Sequence, residues 1–91
     1  MCNPNIKTKY EDAIDLYGKA ANFFKMAKCW QNAGEAFVKC AEGGMKLKSH
    51  HEAAAHYVEA AKMYARVDPA EAITHYRQAI VMFCEIGRFT S

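Results

Sequence analysis

The residues most suggestive of chemistry stand at the middle of the chain, where His50, His51, Glu52 and His56 together resemble the helix of a zinc hydrolase. Such a site needs two imidazoles four residues apart, so that both share one helix face with a glutamate between them. His51 and His56 are five apart, which turns the second ring about 140° away from the first at 3.6 residues per turn. Metal chemistry is therefore not expected, and His50 and His51 read as first-turn surface residues. No glycine-rich phosphate loop and no G-x-S-x-G elbow occurs, and none of the four cysteines, Cys2, Cys29, Cys40 and Cys84, has a base placed to activate it. They form no C-x-x-C pair, and three lie in or beside helical segments, so reduced thiols are expected. The sequence gives no sign of an enzyme or of a bound cofactor.

What must position these side chains is a single small domain, since 91 residues allow no more. A composition that is 52% hydrophobic and 24% charged is that of a folded chain with a core to bury. A formal net charge of +2 is too small for a nucleic-acid binder, which concentrates cations on one face. No apolar run reaches the roughly 20 residues that span a bilayer, and the opening Met1-Cys2-Asn3-Pro4-Asn5 lacks the regions of a signal peptide. A cytoplasmic protein is expected.

The chain repeats itself. The segment Ala13–Phe24 recurs at shifts of 20, 40 and 59, bringing Tyr17 over Phe37, Tyr57 and Tyr76, and Ala20-Ala21 over Cys40-Ala41, Ala60-Ala61 and Ala79-Ile80. Within the first copy Ala13, Leu16, Tyr17, Ala20, Ala21 and Phe24 follow the three-and-four spacing of one helix face. Thr8-x-x-Glu11, Ser49-x-x-Glu52 and Asp68-Pro69-Ala70-Glu71 each set an N-cap oxygen three residues before a glutamate, starting the first, third and fourth helices. The second begins near Cys29 without such a signal. Gly87 is the expected C-cap of the fourth, and Gly43-Gly44 should cost the second about 1 to 2 kcal/mol against alanine and bend or end it early.

Alanines alternating with single aromatics let helices approach closely, and short connections make neighbours antiparallel. The fold class is thus all-α: a four-helix solenoid of antiparallel hairpins in a right-handed array, like tetratricopeptide repeats but with a longer unit and no Trp-x-x-Leu-Gly opening. The hairpins cover about residues 8–48 and 49–87, with 88–91 as the connection into a further helix. The ladder Tyr17, Phe37, Tyr57 and Tyr76 is expected in the core, and Trp30 against the preceding hairpin. Ile73, Tyr76, Ile80 and Phe83 on the fourth helix have nothing after them to cover any part that faces a missing neighbour, so the chain reads as a fragment able to self-associate.

Phe24-Lys25-Met26-Ala27-Lys28, Trp30, Ala33-Gly34, Asp68-Pro69 with Glu71-Ala72-Ile73, and Gly87-Arg88-Phe89-Thr90 resemble the N-terminal helical sheet of the soluble NSF attachment proteins of α/β type. The resemblance runs from about Tyr10 to the end and covers about a third of a typical member. It implies an adaptor that lies along an assembled SNARE complex, a bundle of the syntaxin and synaptobrevin type, and recruits the NSF-type AAA ATPase that unwinds it in vesicle trafficking. In the family the ATPase contacts come from the other end of the chain, so this stretch alone should not stimulate disassembly. The family's membrane-touching loop lies just upstream of the matched region, where Met1–Thr8 has no bulky aromatic pair to insert into lipid. Only a peripheral relation to membranes is implied.

The residues that the resemblance transfers are basic side chains at helix ends, chiefly Arg88 in Gly-Arg-Phe and Arg66 ahead of Asp-Pro, with Lys25 and Lys28 at the same edge as Arg66. Opposite the acidic stripes of a SNARE bundle they would act electrostatically. Cations at helix C-termini are also favoured by the helix dipole alone. The competing reading is a generic repeat module that holds an extended peptide or chaperone tail in a groove.

Overall fold

A computed structural model of the protein describes residues 4–90, with side chains described for 6–87. Four helices follow one another: α1 (Pro4–Met26), α2 (Trp30–Lys46), α3 (His50–Tyr64) and α4 (Pro69–Thr90). Each packs on its sequence neighbours, and the array measures 42 × 31 × 15 Å, little more than one helix thick. The all-α array of antiparallel hairpins expected from the repeat is what forms.

The connections explain the tight antiparallel reversals. After α1, the Cys29 N–H donates to the Phe24 carbonyl (2.8 Å) and the Lys28 N–H to that of Lys25 (3.1 Å). After α2, Ser49 donates to Gly44 (2.8 Å) and Lys48 to Met45 (3.0 Å). This paired pattern needs one left-handed residue just past the helix, and Lys28 (φ 62°) and Lys48 (φ 59°) fill that position although neither is glycine. At the third connection the Glu71 N–H donates to Asp68 Oδ1 at 3.4 Å, the cap that Asp-Pro-Ala-Glu predicts.

Four local expectations are corrected. Helix α1 begins at Pro4 and not at Thr8, because a proline at the first helical position already supplies the start. Ser49 stands at the N-cap of α3 without a side-chain capping bond. Helix α4 continues through Gly87 to Thr90, so Gly87 is no C-cap and 88–90 extend this helix. Gly43 and Gly44 do not end α2, which continues to Lys46. Both are buried, and a Cβ on Gly43 would stand 2.6 Å from Ile14 Cγ1, one on Gly44 3.3 Å from the Ala53 backbone. They are points of close approach of α1 and α3 to α2.

The core is built from alanines and a few large side chains of the central helices. One cluster gathers Ala21, Ala33, Phe37, Ala60, Tyr64 and Ala72, and the other Ala41, Ala53, Tyr57, Ala79 and Met82. The aromatic ladder is buried only in its middle: Phe37 and Tyr57 are 6% and 8% exposed, Tyr17 and Tyr76 are 43% and 38%. Among the described residues α1 and α4 pack chiefly on one neighbouring helix each, so their aromatics stay half open. Ile73, Ile80 and Phe83 of α4 are likewise exposed, as are Leu16, Phe23 and Met26 of α1.

Candidate functional site

Odd-numbered helices of an antiparallel array end at one edge and even-numbered helices at the other. Lys25 in the last turn of α1, Lys28 in the following turn and Arg66 just after α3 therefore share an edge, and all three are exposed. Trp30, at the start of α2, packs on the first core cluster, and the Arg66 guanidinium lies over its ring at 4.3 Å from the centroid. That cation–π contact joins the two hairpins and fixes an otherwise mobile arginine at the rim. Lys25 Nζ reaches Glu59 Oε1 of α3 at 3.9 Å, while Lys62 Nζ holds Glu59 Oε2 at 3.2 Å. One carboxylate thus faces two ammonium groups, and with Asp68 before α4 and Glu71 in its first turn the edge sets the four cations Lys25, Lys28, Lys62 and Arg66 against three carboxylates. Lys62 was not singled out by sequence, although its place in the last turn of α3 carries the same signal as Lys25.

Arg88 does not join this group. It follows Ile86 on α4, and Ile86 lines a cavity of about 200 Å³ with Met45 and His50 from the end of α2 and the start of α3. The backbone of Arg88 therefore stands at the opposite edge, and its side chain lies outside the described residues. Lys46, in the last turn of α2, and Lys48, in the turn after it, belong to that second edge. Both escaped the sequence reading, though they fall in and just after the last turn of α2, where cations concentrate.

The histidines are held by packing. His56 stacks on Phe37 (6.4 Å between centroids) and His51 meets Phe83 edge-on (6.3 Å), so the two rings point to different parts of the fold. His75 stacks on Tyr64 at 5.1 Å and Tyr57 at 6.1 Å, and its Nε2 lies 3.2 Å from Glu71 Oε2. Among the described residues no group of three or more His, Cys, Asp or Glu is placed to hold a metal ion. Burial raises the Cys40 thiol above its ordinary range, offset in part by a backbone hydrogen bond, and its Sγ lies 3.5 Å from the Ile14 carbonyl to which it donates. Cys29 and Cys84 are exposed free thiols, and Cys2 lies outside the described residues. Among the described residues no helix is long and apolar enough to cross a membrane.

An open, one-layer array of antiparallel helical hairpins has the architecture of a helical-repeat scaffold. Residues 4–91 match the family of soluble NSF attachment proteins, SNAP, and the chain belongs to that family. It is 45% identical over 83 residues to a beta-soluble NSF attachment protein of Bos taurus and 43% identical over 83 residues to an alpha-soluble NSF attachment protein of Homo sapiens. Each match covers 91% of this chain and 28% of the relative. A probable vesicular-fusion protein, a sec17 homolog of Schizosaccharomyces pombe, is 41% identical over 81 residues, covering 89% of this chain and 28% of its own length. The chain thus spans a little over a quarter of the length of these relatives.

Proposed function

We propose that this chain is part of the SNARE-binding surface of an adaptor, peripheral to membranes on the cytoplasmic side, that presents assembled SNARE bundles to an NSF-type AAA ATPase. It acts by holding its partner and performs no chemistry of its own. Membership of the family supports the reading, together with the basic edge formed by Lys25, Lys28, Lys62 and Arg66. The single observation that carries it is Arg66 stacked 4.3 Å over Trp30, because an arginine already fixed at the rim loses less freedom when it meets an acidic stripe. Contacts of this kind govern encounter and register more than deep affinity, and they weaken with salt. Lys46 and Lys48 stand at the far edge, where the backbone of Arg88 also lies, so a bundle crossing the sheet would meet cations at both ends.

The reading is tested by titrating the chain against an assembled four-helix SNARE bundle and against its separate components, at low and physiological salt, with Arg66→Glu and Lys28→Glu alongside. Salt-sensitive binding to the bundle, weakened at least severalfold by either charge reversal, is the expected result. No binding at low salt, or binding indifferent to both salt and charge reversal, overturns it.

A further inference from the structure

Between the two edges, α1 and α2 enclose a groove on the face of the array, which reaches Lys46 of the far edge at one end. It consists of two cavities of about 260 and 200 Å³ that meet at Tyr17 on the α1 side and Lys39 on the α2 side. Its α1 wall is the series Tyr10, Ala13, Tyr17, Ala20 and Phe24. Large aromatics thus recur every seventh residue with an alanine between each pair, which is the spacing of a coiled-coil seam. From Tyr10 to Phe24 the wall runs about 21 Å at 1.5 Å per residue, long enough for two heptads of a docked helix. Tyr17, half exposed at its centre, is the member of the repeated aromatic ladder that the chain's own core leaves uncovered on this face.

The α2 wall adds charge in the same period. Glu35, Lys39, Glu42 and Lys46 line the groove in order, so acids and bases each recur every seventh residue and alternate along its length. Lys39 and Glu42 lie 3.7 Å apart with more than half of each side chain exposed, a pairing weak enough to exchange for a partner's charges. An apolar seam beside alternating charges is how one helix selects another in a heptad pairing.

The geometry points to a docking site for a single amphipathic α-helix of a protein partner, one that carries a heptad stripe of apolar residues and, on its flank toward α2, alternating basic and acidic residues complementary to Glu35, Lys39, Glu42 and Lys46. An assembled four-helix bundle is a poor occupant, because its apolar stripes are turned into its own core. A second copy of this chain is also disfavoured. Among the described residues its open α4 stripe of Ile73, Tyr76, Ile80 and Phe83 has Arg77 beside it and lacks a row of alternating charges. The site lies apart from the edge of Lys25, Lys28, Lys62 and Arg66, shares only Lys46 with the far edge, and does not depend on the function proposed for those edges.

The probe is a synthetic helical peptide of about three heptads with leucines along the stripe and the complementary charge flank, against a second peptide with lysines and glutamates exchanged. Fluorescence-anisotropy titration of the whole chain should give saturable binding, about fivefold tighter for the matched peptide at low salt, from four exposed charge pairs. Lys39→Glu, an exposed change that leaves the fold and the basic edge intact, should weaken the matched peptide and strengthen the exchanged one. Ala20→Arg, which fills the groove, should weaken both. Binding of neither peptide, or equal binding of both with no response to Lys39→Glu, overturns the proposal. So does loss of peptide binding in both Arg66→Glu and Lys28→Glu, which would merge the groove with the other site, or loss of peptide binding as the chain self-associates, which would assign the groove to a second copy.

Discussion

Replacing Gly34 by alanine separates helix propensity from helix packing. In an isolated helix the change gains about 1 kcal/mol. Here the added Cβ would stand 2.8 Å from Tyr64 Cε2 and 3.0 Å from Cδ2 and Cζ, so the ring or the helix must move. The ring has little room: Tyr64 is 6% exposed and stacks on His75 at 5.1 Å. With the ring held in place, the cost falls at about 2 to 3 kcal/mol, the upper part of the overpacking range, which leaves a net loss of about 1 to 2 kcal/mol after the propensity gain. Gly18 is the internal control, since its added Cβ would meet only Cys40 Sγ at 3.9 Å, an ordinary contact. Gly18→Ala should therefore stabilise by about 0.5 to 1 kcal/mol. In urea unfolding the two variants should move their midpoints in opposite directions with unchanged slopes, about 1 to 2 M apart. A Gly34→Ala midpoint at or above that of the parent chain would refute the close approach of α2 and α3 at Tyr64.

Lys48→Gly should stabilise the chain by about 0.5 kcal/mol in the same assay, because a left-handed side-chain-bearing residue costs about 1 to 2 kcal/mol and the added freedom of glycine in the unfolded chain offsets part of the relief. Alkaline pH should destabilise the fold. Burial, the main cause, raises Cys40 above its ordinary 9.0 and Tyr57 and Tyr64 above 10.0, with Glu42 adding to Tyr57 and Glu35, Glu71 and Asp68 to Tyr64. Groups that hold their protons more tightly when folded contribute stability that is complete below those ordinary values and is lost as pH rises through the folded ones. Melting temperature followed by circular dichroism should thus fall from about pH 9 upward, and Cys40→Ser with both tyrosines replaced by phenylalanine should flatten that decline. Under native conditions a maleimide should label Cys29 and Cys84 rapidly and Cys40 only after unfolding, as peptide mass mapping would record.

The helices were legible because their signal repeats: one apolar face written four times, near shifts of 20, 40 and 59, outweighs any single misread residue. Asp68 was legible for a local reason, since an aspartate before Pro-x-Glu has one obvious bond to make. The misreadings share a different cause. Thr8-x-x-Glu11 has the form of a cap, but Pro4 had already started the helix. Gly43 and Gly44 carry the composition of a break, yet their role depends on Ile14 and Ala53, which approach from other helices. A propensity belongs to one residue, whereas a close approach belongs to a pair.

The same distinction governs the candidate site. That Lys25, Lys28 and Arg66 share an edge follows from counting helices. So does the separation of Arg88, which ends an even-numbered helix and belongs to the far edge by the count alone. Arg66 over Trp30 could not be foreseen in that way, because nothing in two residues 36 positions apart signals that one ring turns toward the other cation. The groove was half legible. Tyr10, Tyr17 and Phe24 stand at heptad spacing in plain sight, but helical period alone places Tyr17 in the core. Among the described residues α1 packs chiefly against α2, and that one-sided packing turns the core position into an open seam. An aromatic repeated through every helix is therefore read differently at the flank of an array than at its centre: buried, it holds the hairpins together, and uncovered beside alternating charges, it can hold a helix from elsewhere.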